Sequence, residues 1–397
     1  MNPIIRIGKP YIEQTAERKY RLCAQLREDG REPYTAWYEV DEQYGAYLCE
    51  ERTDAFAVVL LPYALRRGLD IHCEQVMSER LYYQLSQILL PTLGGRVGVF
   101  KRISLVAETS SAVLPSFGAR GASVSGGVDS FYTLLNHTGR REAGFNVTHL
   151  AFFNIGSHGD YGGEEARKLF HKRMALVSPI ADELGLSLVG VDTNLSEFLR
   201  LDYVGSHTYR TLSVVLALQK LFSAYFFASG YPYQKFGLSS KGPAQFDLLN
   251  VQCLTTENVV FYLSGAERTR QEKLDFIADR EITYRHLNVC VTDGPNCSRC
   301  TKCRRTMMGL YLHGKLELYR PVFDVDSFLT RVDAQITEAY SKSDDADWTE
   351  LYHVMRDRKM MRPRHYILGG LRRGMRKLIN GCAPVGKLFL KLRNRGA

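Results

Sequence analysis

The sequence predicts an α/β protein built on a Rossmann-like parallel sheet with helices on both faces. Three observations predict it. Apolar segments of strand and helix length alternate from Arg120 to Asp192, the pattern of parallel strands joined by crossover helices. A glycine pair, Gly126-Gly127, stands where the first strand turns into the first helix. Four cysteines, Cys290, Cys297, Cys300 and Cys303, follow with the spacing of a metal site.

Residues 1–110 read as an N-terminal α+β domain. Within it 55–61 is a continuous apolar strand, 69–73 alternates as a strand, 77–90 is helical and 97–106 alternates again. The stretch 109–116, rich in serine and ending near Pro115, is a short linker. The segment 118–310 then carries strand one at 120–125, a helix at 130–137 and strand two at 148–155. A helix at 164–184, strand three at 186–192, an apolar helix at 212–227 and a further strand at 233–239 complete the alternation. Residues 311–397 read as a helical extension ending in a basic tail.

The most informative motif is Ser125-Gly126-Gly127-Val128-Asp129-Ser130. Adjacent glycines let the backbone curl, so that N–H groups converge on an anion at the positive end of the helix dipole. Ser125 and Ser130 offer hydroxyl donors, and Asp129 offers an oxygen ligand for magnesium. The plain alternative is a Gly-Gly turn entering an ordinary helix. Ligands of a parallel sheet sit beyond the C-terminal strand ends, so the loops holding His158, Asp160 and Asp192 are candidate substrate or metal positions. Solvation of a glycine-rich loop, and for Asp192 a helix cap, are the competing readings. Arg210 is a candidate phosphate clamp. Glu267, Arg268 and Arg270 line a pocket or form an exposed charged face.

The cysteine segment runs from Cys290 through a turn-forming Asp293-Gly294-Pro295-Asn296 to Cys297, Cys300 and Cys303. Four thiolates at this spacing suit one structural zinc, closed to substrate. An iron–sulfur cluster is the rival, although Arg304 stands where a ferredoxin motif has proline.

The SGGxDS run resembles the signature of the PP-loop (N-type) ATP pyrophosphatases. Joined to C-x6-C-x2-C-x2-C downstream, it is similar to 7-cyano-7-deazaguanine synthase and its relatives over residues 118–310. The resemblance implies a fold of the PP-loop/HUP type. It implies ATP cleaved between the α and β phosphates with Mg2+, AMP transferred to a carboxylate or amide oxygen, and pyrophosphate released. It implies adenine contacts at Phe153, Asn154 and Ile155, and Zn2+ on the four cysteines. The segment 205–211 resembles the family's substrate-contacting stretch, with Thr211 where the family has Asn. Asp129, Ser130 and Arg210 are then the expected catalytic residues, with no general base in evidence. Ammonia or an amine displacing AMP gives an amide or, with a second ATP, a nitrile. Asn2 follows Met1, so the cysteine nucleophile of a glutaminase half is not expected, and ammonia or an amine has to arrive from elsewhere, a donor protein being one source. Sulfur insertion into tRNA, with Cys253 as the sulfur carrier, is one alternative. A non-catalytic zinc-dependent nucleic-acid-binding module is the other.

Composition bounds the rest. A chain of 397 residues with 45% hydrophobic content exceeds one typical domain. It has no run of ~18 apolar residues and no signal-peptide pattern after Met1; with nine cysteines a reducing cytoplasm is expected. From Arg356 onward 13 basic residues face the single acid Asp357, a net of +12. The 39 bases and 42 acids before Arg356 net −3, so the basic character belongs to the tail. Ile367, Leu371, Met375 and Leu378 recur there at helical spacing among Arg372, Arg373, Arg376 and Lys377, and 388–392 holds a second apolar group. An anionic membrane surface, a nucleic acid or a partner such as a second copy suits this pattern; a merely solvated extension is the plain reading.

Overall fold

The computed structural model describes residues 2–238, 243–290, 292 and 294–381. The expected apolar group at 388–392 lies outside these residues, as do Asp293 of the cysteine turn and Ser239 of the expected last strand. The chain forms two compact units, Met1–Lys273 and Leu274–Ala397.

The first unit is mixed α/β. Its strands are β1 (Ile4–Ile7), β2 (Tyr11–Gln14), β3 (Tyr20–Glu28), β4 (Tyr34–Val40), β5 (Asp70–Cys73), β6 (Met77–Ser78) and β7 (Leu105–Val106). They continue as β8 (Thr109–Ser110), β9 (Ala119–Ser123), β10 (His149–Phe153), β11 (Ser187–Thr193), β12 (Phe222–Ala228) and β13 (Val260–Ser264). Eleven strands share one mostly parallel sheet in the order β13-β12-β9-β10-β11-β4-β3-β1-β5-β7, with β2 on β3. From β13 to β11 every neighbour is parallel. Counting β9 as strand one, this stretch reads 3-2-1-4-5 from β11 to β13. That order reverses direction between β9 and β12, the switch point where an open sheet leaves a crevice for ligand. Gly121 of β9 makes the central pairing close: a Cβ there would lie 2.6 Å from the rings of Phe222 and Tyr225.

The N-terminal region does not stand apart as expected. β4 pairs antiparallel with β11, placing Glu39 opposite Asp192, and Asn194 Oδ1 accepts from the Trp37 N–H at 2.9 Å. Residues 1–110 thus prolong the same sheet. The division comes after Lys273, so the cysteine segment belongs to the second unit and not with the loop at Ser125.

Several element expectations need correction. Residues 55–61 are not a strand but part of the helix Asp54–Arg67, buried from Asp54 to Leu65 and closed by Gly68 at φ 76°. A segment apolar on every face has no period to tell helix from strand. The expected helix at 212–227 is a helix His207–Ala217 followed by strand β12, because both are buried and one apolar run covers the turn between them. The expected strand at 233–239 starts as a single 3-10 turn, Tyr233–Lys235. Only Leu105–Val106 of 97–106 is strand. Residues 77–90 open as β6 before turning helical through a π turn at Gln84–Leu89, and the expected linker contributes β8, which pairs with β6. The helix Glu164–Leu184 has the bounds expected of it.

The second unit is helical, with Thr301–Leu312, Val332–Ser341, Ala346–Asp357 and Pro363–Gly381 its longer helices. Trp348, Tyr319, Met307 and Leu351 are buried in it.

Candidate functional site

Strand β9 ends at Ser123, and the helix Val128–Asn136 begins four residues after Val124. Gly126 takes φ 73°, a conformation glycine adopts without the steric cost of a Cβ. The first-turn N–H groups of the helix have no intrahelical acceptor and open onto the C-terminal end of the sheet. Ser130 locks this turn: its Oγ accepts from the Ser125 N–H and donates to the Ser123 carbonyl, both at 3.0 Å. The Ser130 hydroxyl is therefore committed to holding the loop, correcting its expected role as an anion donor. Ser125 remains exposed, with its Oγ accepting a 3.4 Å bond from the Gly127 N–H.

Asp129 meets two cations from the helix Arg270–Ile277. Its Oδ2 lies 2.7 Å from Arg270 Nη1 and its Oδ1 lies 3.0 Å from Lys273 Nζ. Lys273 is 2% exposed and also donates to the Ser229 carbonyl at 2.6 Å. Ser229 follows β12, so Lys273 sits at the switch point itself. Gly265, at φ 82°, leaves it room: a Cβ would come within 2.9 Å of Lys273 Cε. The sequence reading missed Lys273. Its signal was the i, i+3 spacing from Arg270, which puts both cations on one helical face. Nearby, Glu267 accepts from Tyr132 Oη at 2.6 Å, and burial with that bond pushes the Tyr132 pKa up to about 12. Arg268 is half-exposed, 3.9 Å from Glu272.

The C-terminal end of β10 is built differently. Arg210 is 1% exposed, and its Nη1 donates to the Ile155 carbonyl and to Ser196 Oγ, both at 2.9 Å. Its Nη2 donates to the Leu201 carbonyl at 2.7 Å. Gly156, at φ 103°, has no Cβ because one would lie 2.2 Å from Arg210 Nη1. Burial lowers the Arg210 pKa to about 10. This guanidinium braces loops, which corrects the expected phosphate clamp. Three of the backbone groups expected to read adenine are engaged within the fold. The Asn154 N–H donates to Val191, the Asn154 carbonyl accepts from Thr193 Oγ1, and the Ile155 carbonyl accepts from Arg210. Phe153 is a buried core residue.

Asp192 accepts from Asn154 Nδ2 at 2.7 Å and from its neighbour Thr193 N–H, and pairs with Arg167 Nε at 3.2 Å. Burial pushes its pKa up against those bonds. It caps no helix through its side chain and ties β10 to β11. His158 is buried between the rings of Phe152 and Phe170 at 5.2 and 5.6 Å, and burial lowers its pKa to about 4. Asp160 accepts from the Tyr203 N–H at 2.9 Å. Asp192 and His158 are thus buried and engaged within the fold, whereas Asp160 is exposed.

In the second unit the four cysteine sulfurs all lie within 4.8 Å of one another. Tetrahedral zinc with Zn–S near ~2.3 Å needs S···S near ~3.8 Å, and Cys290 and Cys300 sulfurs stand 3.9 Å apart. N–H groups of Cys297, Cys300 and Cys303 point at sulfurs of Cys290, Cys297 and Cys300 at 3.3–3.5 Å, the polarity that stabilises thiolates. Burial raises the Cys290 pKa, but bonds from Thr292 and Cys297 outweigh it and bring it to about 6. The four residues fit a metal such as zinc. Comparison with protein-family models, curated proteins and solved structures finds no match for this chain. No described helix is long and apolar enough to cross a membrane.

Proposed function

We propose that the first unit is an ATP pyrophosphatase of the PP-loop type, transferring AMP to a carboxylate or amide oxygen so that ammonia or an amine can displace it. The observation that carries this reading is the Ser125–Ser130 loop, at the switch point, with Asp129 held by Arg270 and Lys273. Two cations and a helix N-terminus around one carboxylate leave a net positive site suited to an anion.

Arriving pyrophosphate oxygens would take over Arg270 and Lys273, with the loop N–H groups and the Ser125 hydroxyl completing the cradle. Asp129, relieved of both cations, would then hold magnesium, which supplies charge neutralisation when bound. The chain's contribution is positioning and stabilisation of charge on the departing pyrophosphate. Zinc on the four cysteines would have a structural part, fixing the start of the helix Thr301–Leu312, which Cys300 caps.

The sulfur-carrier alternative is weaker, since Cys253 is 2% exposed and burial raises its pKa to about 11. Purified protein incubated with ATP, Mg2+ and ammonia against a panel of carboxylic acids should release AMP and pyrophosphate with an acid-dependent rate. ADP and phosphate as the only products would refute adenylation. Metal analysis should return about one zinc per chain; visible absorbance with acid-labile sulfide would assign the cysteines to iron–sulfur instead.

A further inference from the structure

Among the described residues the helix Pro363–Gly381 packs on its own unit by one face. His365 is 1% exposed with Nε2 2.8 Å from Asp333 Oδ1. Gly369 lies so near that a Cβ would stand 2.6 Å from the Tyr340 ring. On the opposite face Ile367, Leu371, Met375 and Leu378 fall at i, i+4, i+8 and i+11, and each is between 56% and 72% exposed. An apolar stripe of this length left in water calls for a partner. Arg372 and Lys377 border it, one along each edge at helical spacing.

The Arg372 edge opens on a second feature. A cavity of about 320 Å3 is lined by Arg299, Arg304, Arg331 and Arg372, with the hydroxyls of Ser298 and Ser327. Glu338, also in the lining, pairs with Arg304 at 2.8 Å. The other three guanidiniums have no carboxylate at ion-pair distance among the described residues. Gln335 lines the same cavity, 6% exposed, and its Oε1 has no hydrogen-bond partner among the described residues. Guanidinium forks match phosphate oxygens, and a buried acceptor suits a phosphate proton or a headgroup hydroxyl.

We infer that this unit docks on an anionic membrane surface, seating a phosphomonoester lipid headgroup in the arginine cavity while the stripe enters the acyl boundary. The two features adjoin through Arg372, and each asks for a different half of one lipid. A nucleic acid would satisfy the arginines and leave the leucines in water. A second copy packed stripe to stripe would bring two cationic borders together. Interfacial helices combine an apolar face with basic flanks for this purpose.

The test uses the full chain and vesicles of phosphatidylcholine alone, or mixed with phosphatidylserine or phosphatidic acid at matched surface charge, at physiological salt. The protein should co-sediment with both anionic vesicles, more with phosphatidic acid, and not with phosphatidylcholine alone. Leu371→Glu combined with Met375→Glu should lower partition to both on the order of tenfold or more, by removing apolar insertion. Arg299→Gln combined with Arg331→Gln should abolish the preference for phosphatidic acid while leaving charge-driven binding. Both pairs are surface changes, and an unchanged Tm confirms folding. Several results would overturn the inference. These are equal binding to neutral vesicles, stripe variants that bind normally, competition by RNA that survives in the stripe variants, or glycerol phosphate binding as tightly as the vesicle. A stripe variant that loses Tm and keeps vesicle binding would assign the stripe to another segment of this chain.

Discussion

Two buried cations stand at strand ends of the same sheet, and they are held in opposite ways. Arg210, beyond β10, gives its hydrogen bonds to the Ile155 and Leu201 carbonyls and the Ser196 hydroxyl. Lys273, at the β9–β12 switch point, gives one to the Ser229 carbonyl and one to the Asp129 carboxylate. Backbone carbonyls cannot turn away, so Arg210 is a strut whose charge is spent on fixed dipoles. A side-chain carboxylate can rotate, so Lys273 can exchange a partner when an anion arrives. Burial and charge do not distinguish these two cations; the freedom of the counter-group to move does.

The comparison is broken most directly by Lys273→Met. Turnover of ATP to AMP and pyrophosphate should fall about a hundredfold or more, the scale of losing a charge aimed at a leaving group. Arg270→Met should fall less, since its side chain is a quarter exposed and solvent already screens it. Initial rates of pyrophosphate release measure both. Unaltered turnover in Lys273→Met would return the phosphate role to another residue.

Arg210→Met sharpens the other half. It leaves the Ile155 and Leu201 carbonyls and Ser196 without their donor, and each unmade buried bond costs about 1–3 kcal/mol. Denaturant unfolding should show a loss of roughly 3–5 kcal/mol. Activity per folded molecule should change much less. Arg210→Lys should recover only part, because an ammonium cannot span the same fork. Gly156→Ala drives a Cβ toward Arg210 Nη1 and forces an L-residue to φ 103°, so a loss of about 1–3 kcal/mol is expected by the same measurement. An active-site Arg210 would reverse this, with activity lost and stability kept.

What the sequence made legible follows from the same distinction. The Ser125–Ser130 loop could be read because its glycines, flanking strand and helix are local. The cysteine cluster could be read because ligand spacing along the chain restricts where four sulfurs can meet. Lys273 was missed because its partner Asp129 is 144 residues away: the i, i+3 spacing puts it on the face of Arg270 but does not say what that face meets. Arg210 misled for the matching reason: its segment 205–211 resembles a substrate-contacting stretch, and its carbonyl partners come from two other loops. The alternation of strands β9 to β11 was legible. The helix Asp54–Arg67 and strand β12 were not, because full burial erases the period that separates helix from strand. The union of residues 1–110 with the sheet depends on the pairing of β4 with β11, a long-range register that no local pattern encodes.

His158 gives an effect confined to acid pH, with a sign that tells strut from site. Beside the Arg210-braced loop, burial holds its pKa at about 4 against an ordinary 6.5. The folded state therefore keeps the ring neutral, while the unfolded chain takes up a proton as pH falls below about 6.5. Its contribution is full above pH 6.5 and is lost progressively as pH falls toward 4. At ~1.4 kcal/mol per unit this is about 3 kcal/mol at the acid end. His158→Phe, packed between Phe152 and Phe170, should flatten the decline in stability between pH 7 and 4 by an amount of that order. Urea unfolding across that range measures it, and the ring's own NMR titration checks the assignment. A midpoint near 6.5 in the native protein would mean that the ring reaches solvent, and would return His158 to the list of residues a substrate can touch.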